Sequence, residues 1–163
     1  MLSTTLYSVL ICASVSTMLC ASACAADASK PDIISFGSSV EAMASSLDPL
    51  CSTQTVRDLD PPPVPGIETR TQIDCEGFDY FDAPRLAEFV FLNDELAMVW
   101  ILVDAEALPQ LEEALVQLHG AADVTSEMVD LHTSANAGVR RDVPEALFYS
   151  EAIEPLVRAQ AGG

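Results

Sequence analysis

Ile67-Glu68-Thr69-Arg70-Thr71-Gln72-Ile73-Asp74-Cys75-Glu76 alternates without a break. Ile67, Thr69, Thr71, Ile73 and Cys75 fall on one side. Glu68, Arg70, Gln72, Asp74 and Glu76 fall on the other. A period of two places successive side chains on opposite faces of a pleated chain, so this stretch predicts a half-buried β-strand. Two more strands follow, Leu86 to Leu92 and Leu96 to Val103, joined by the turn residues Asn93-Asp94-Glu95. Met98 to Val103 is apolar throughout. That pattern predicts a central strand covered on both faces.

Further along the chain, Leu108, Leu111, Leu115 and Leu118 mark one face of a helix over about Glu106 to His119. Pro109 suits its first turn and Gly120 its end. Val124 to Thr133 reads as a strand, Ser134 to Gly138 as a turn, and Ala146 to Ser150 as a short strand. Glu151 to Arg158 reads as a terminal helix interrupted by Pro155. Toward the N-terminus, Asp60-Pro61-Pro62-Pro63-Val64-Pro65-Gly66 is a stiff connector, a rigid loop rather than a boundary between domains. Before it, Val40, Met43, Ala44 and Leu47 share a helical face. Ser38 with Glu41 forms the capping-box pattern, and Pro49 stops the helix.

The order α-βββ-α-ββ-α predicts an α+β fold. The expectation is a single small domain over residues 37–163, a mainly antiparallel sheet of about five strands with helices packed on one face. This order is similar to small envelope α+β domains such as the outer-membrane assembly lipoproteins and the β-lactamase-inhibitor protein fold. The likeness covers most of the chain after its first residues. It rests on element order and transfers no functional residue.

Between Met1 and Ala26 there is no charged side chain. An apolar stretch from Leu6 to Leu19 precedes Cys20-Ala21-Ser22-Ala23-Cys24-Ala25-Ala26, which offers two A-x-A sites. Residues 1–25 therefore read as a signal peptide, though the usual basic start is missing. Lipidation at Cys24 is a variant of this reading, and a retained anchor is the alternative. Residues 26–36 read as a polar tether. The predicted location is exported, periplasmic or secreted, with an outer-membrane lipoprotein as the lipidated form.

All 25 acids and all 7 bases lie beyond that segment, so the exported part keeps the net charge of −18. Such a field repels nucleic acid and anionic membrane surfaces. It serves solubility, including in salt, and it suits a basic protein or a cationic ligand. After export Cys51 and Cys75 remain, an even pair in an oxidising compartment, and a disulfide between them is expected.

No motif for catalysis is present: no Gly-x-Ser-x-Gly, no His-Glu-x-x-His and no phosphate-binding glycine loop. No cofactor and no metal is expected. His119 suits a helix C-terminus, where the dipole favours a cation, and nothing in the spacing relates it to His132. Asp74, Glu76, Asp79 and Asp82 lack the EF-hand spacing, and a solvated acidic loop is the default reading. Gly77 to Arg85 places Phe78, Tyr80 and Phe81 between two strands. Continued alternation could not hide all three rings on one face, so at least one should be accessible as a partner contact. The alternative is that the rings fold back over the sheet edge. The expected function is binding without catalysis, as an accessory, assembly or inhibitory factor. The alternatives are a hydrolase outside the cytoplasm using a carboxylate pair, and a salt-adapted structural protein without a specific ligand.

Overall fold

The computed structural model describes residues 26–162. Residues 1–25, read above as a signal peptide, and with them Cys24, lie outside the described residues. Eight strands form one sheet: β1 Thr53–Leu59, β2 Arg70–Tyr80, β3 Ala83–Leu92, β4 Glu95–Leu102, β5 Val124–Thr125, β6 Val129–His132, β7 Ala137–Arg140 and β8 Glu145–Tyr149. Their order across the sheet is β1-β2-β3-β4-β8-β7-β6-β5, and every pairing is antiparallel. Two four-strand meanders meet where β4 pairs with β8. Among the described residues three α-helices accompany the sheet: α1 Val40–Leu47, α2 Leu108–His119 and α3 Glu154–Ala161.

The sheet has eight strands where about five were expected, for three physical reasons. The first is β1, which carries only Val56 and Leu59 as apolar residues and leaves Val56 54 % exposed. An edge strand held by backbone pairing to β2 needs no apolar alternation. The second is the break between β5 and β6, where Ser126 accepts from and donates to Val129 and turns the chain. The third is β7, which begins inside the stretch read as a turn. A Cβ at Gly138 would lie 2.6 Å from the Asp130 carbonyl oxygen, so the close approach of β6 requires glycine.

Helices occupy both faces of the sheet, not one. Met43 and Leu47 of α1 and Leu111 and Leu115 of α2 are buried on the face that carries Ile73, Phe89, Val99, Ile101 and Phe148. On the other face, Val157 and Ala161 of α3 cover Leu131, Leu147 and Tyr149. Pro155 sits in the first turn of α3, where its missing N–H costs nothing, so it opens the helix instead of interrupting it. The cap of α1 also differs from expectation. Ser39, not Ser38, accepts from the Ala42 amide. The Ser38 carbonyl accepts from Leu96 instead, which docks the helix entry onto β4.

Residues 26–36 are not a loose tether. Ala28 and Ile34 are buried in the main core, at 1 % and 2 % exposure. Single apolar residues in a polar stretch have no periodicity to reveal them. The Cys51–Cys75 disulfide is present, with Cα atoms 5.2 Å apart, and ties the entry of β1 to β2. Among the described residues no helix is long and apolar enough to cross a membrane.

Candidate binding site at the β2–β3 turn

Gly77 decides the local geometry. Ile73 and Cys75 point into the core, and strict alternation would send Gly77 inward next. Gly77 instead adopts φ +76° and the pairing register shifts between Glu76 and Phe78. This bulge resets the parity, so Phe78 and Tyr80 resume the inward direction. β2 therefore runs on to Tyr80, and the turn shrinks to Phe81 and Asp82, both in the left-handed region at φ 51° and 57°. Such a two-residue turn matches the twist of the flanking strands.

The expectation of an accessible ring is corrected accordingly. Phe78, Tyr80 and Phe81 are 3 %, 5 % and 9 % exposed. Phe78 meets Phe89 edge-on at 5.7 Å, and Tyr80 meets Phe148 edge-on at 6.1 Å. The Tyr80 hydroxyl donates to the Ala28 carbonyl at 3.1 Å. Burial, reinforced by the nearby Asp27 charge, pushes its phenol well above the ordinary range. Of the three rings, Phe81 is the one that borders both of the depressions described next.

Those depressions flank the turn. One, of about 690 Å³, lies between the turn and α2 and has Asp82, Asp104, Glu106 and Glu113 around Phe81, Ala107 and Ala114. The other, of about 430 Å³, has Asp27, Asp79 and Asp82 beside Tyr80 and Phe81. No lysine or arginine lines either one. The neighbouring Arg85 is held by Asp104 at 2.5 Å. Asp27 is kept ionised further into acid by the Ser29 backbone amide, which donates to it at 2.8 Å. The result is a concave, partly apolar surface rimmed by carboxylates of Asp27, Asp79, Asp82, Asp104, Glu106 and Glu113.

The expected acidic group is split. Asp79 and Asp82 belong to this surface. Asp74 instead pairs with Arg57 at 2.7 Å, while Glu76 is exposed on the strand. Among the described residues no three His, Cys, Asp or Glu side chains gather around one point. A larger groove of about 810 Å³ lies between Val64–Ile67 of the connector, the β3–β4 turn and α3. Glu95 and no base lines it, so its charge selects no occupant.

Two titratable groups stand apart from this surface. Glu145 on β8 is 2 % exposed, and burial pushes its carboxyl up to about 7 against the opposing effect of Arg140. Arg140 lies 2.8 Å from it and 4.8 Å over the Trp100 ring. Glu145 lines none of the depressions, so its raised pKa and the concave surfaces do not coincide. The second group is a pair the sequence did not relate: the rings of His119 and His132 lie 5.7 Å apart. Burial, then the charge of His119, lowers the pKa of His132.

Compared with known proteins, the chain matches no family model, no curated protein and no solved structure.

Proposed function

We propose that this protein is exported and acts by binding, without catalysis, to a cationic partner that docks at the β2–β3 turn. The observation that carries the reading is the pair of adjoining depressions with six carboxylates and no base. Arginine and lysine have aliphatic stems that lie along apolar surface while the charged head reaches outward. Phe81, Ala107 and Ala114 offer that apolar floor, and the rim carboxylates lie where the heads would end. Contact with low-dielectric protein strengthens each such pair relative to water. The net charge of −18 adds long-range attraction that raises the association rate and makes it salt-sensitive.

Export is supported by the uncharged apolar start of the chain and by the Cys51–Cys75 bond, which persists in oxidising compartments. Binding is favoured over hydrolysis because the one carboxyl raised toward neutrality, Glu145, lies away from the concave surfaces. The test is a calorimetric titration of the protein with an arginine-rich peptide and with a glutamate-rich peptide of equal length. The arginine-rich peptide should bind at low salt and weaken as salt rises. Absence of binding at low salt would overturn the reading.

A further inference from the structure

We propose that His119 and His132 together form a two-histidine binding site for Zn²⁺. The first ground is placement. His119 is the last residue of α2 and His132 the last of β6. Gly120, at φ +81°, turns the chain out of the helix, and the β5–β6 hairpin brings it back beside the helix end. The Asp123 amide donates to the Leu131 carbonyl at 3.0 Å, and the Thr133 amide donates to the Asp123 carboxylate at 2.7 Å. These bonds close the segment and fix both ring-bearing ends before any ion arrives.

The second ground is geometry. Zinc binds imidazole nitrogen at about 2.0–2.1 Å and prefers tetrahedral angles, which sets two rings on one ion about 5.2 Å apart, centre to centre. The observed 5.7 Å is near that value. A square-planar ion would set cis rings about 4.5 Å apart and trans rings about 6.4 Å apart, so the observed spacing lies nearer the tetrahedral value. The third ground is an unmet polar atom. His132 is 3 % exposed, and its Nδ1 has no hydrogen-bond partner among the described residues. A buried ring nitrogen without a partner is costly, and a metal ion satisfies it. His119 is half-buried, so an ion enters from its side. Asp123 and Asp130 lie near His132, with Asp130 paired to Arg141 and Asp123 accepting from Thr133 and facing Arg158, so the imidazoles and not the carboxylates are the ligands. Two protein ligands leave the remaining positions to water.

The experiment is equilibrium dialysis of Zn²⁺ at pH 7.5 against protein recovered from the native host without a histidine tag. An excess of Ca²⁺ and Mg²⁺ occupies the carboxylates, which those hard cations prefer. One Zn²⁺ per chain should remain bound and raise the thermal midpoint. His119→Gln should weaken this binding by at least about tenfold, since even loss of a supporting partner around a metal costs about 10–100-fold. Its midpoint without metal should stay near that of the parent, because His119 is only half-buried. His132→Gln should likewise lose binding if it folds, and His119→Gln decides the matter if it does not. Equal Zn²⁺ affinity in the parent and His119→Gln would overturn the site, as would complete displacement of Zn²⁺ by Ca²⁺.

Discussion

The Tyr80 hydroxyl donates to the Ala28 carbonyl at 3.1 Å across 52 residues of sequence. This bond fastens the first described residues to the end of β2, directly beneath the Phe81–Asp82 turn. Ala28 is buried, so its carbonyl has no ready substitute in water. Tyr80→Phe keeps the ring contacts with Phe148 and removes only the donor. It should destabilise the fold by about 1–3 kcal/mol, the cost of an unsatisfied buried acceptor. A urea unfolding curve with unchanged slope and a lower midpoint is the expected result.

Gly77 and Ser52 form a second close relationship. A Cβ built on Gly77 would lie 2.9 Å from the Ser52 Oγ, and Gly77 holds φ +76°. The Ser52 hydroxyl donates to the Glu76 carbonyl at 3.0 Å, so it is not free to move aside. Gly77→Ala should cost about 1–3 kcal/mol through backbone strain and crowding. Gly77→Ala together with Ser52→Gly should recover part of that loss, which thermal unfolding of the two variants would show.

The β2–β3–β4 meander was legible because its alternation is regular and Asn93-Asp94 is a turn by chemistry. Both residues do adopt the left-handed region. The burial of Phe78 and Tyr80, against the expectation of accessible rings, traces to Gly77. The regular alternation ends at Glu76 and Gly77 reads as the start of a loop, although an isolated glycine in a strand pattern is the usual sign of a bulge. Phe81 was harder, since a bulky residue at φ 51° is rare and no propensity predicts it. The carboxylate rim was half legible: Asp79 and Asp82 are near in sequence, whereas Asp104, Glu106 and Glu113 arrive on the segment leading through α2. The meeting of His119 with His132 depends on a hairpin between them, and residue spacing carries no trace of it.

Glu145 predicts the pH dependence of stability. Its folded carboxyl titrates at about 7 against an ordinary value of 4.5. Burial is the main cause, Arg140 opposes it, and Glu88 and Asp142 add to it. The folded state therefore binds the proton more tightly than the unfolded state. Its contribution is fully present below pH 4.5 and is lost as pH rises through about 7. Between those values stability should fall by on the order of 2–3 kcal/mol from this group. Glu145→Gln should flatten that fall relative to the parent in unfolding curves taken across the window. An unchanged slope would assign the dependence to other groups.

The Cys51–Cys75 bridge spans a sequence separation of 24 and includes β1 and the proline-rich connector. Replacing both cysteines with alanine should cost about 3 kcal/mol on the chain-entropy account. β1 should respond most, because it is an edge strand with little apolar burial of its own. Hydrogen exchange of the amides from Thr53 to Leu59 should accelerate in the variant more than exchange in β3 and β4.

The central claim is that a cationic partner binds at the β2–β3 turn and not merely to an acidic molecule. Two variants with equal charge change separate these cases. One neutralises Asp79, Asp82 and Glu106 with Asn, Asn and Gln, all exposed at the depressions. The other neutralises Glu41, Glu68 and Glu127 with Gln, all exposed and outside both depressions. Affinity for the arginine-rich peptide, measured by calorimetry at low salt, should drop by about tenfold or more in the first variant and much less in the second. Equal losses in the two would contradict the account, leaving only the overall charge as the source of attraction.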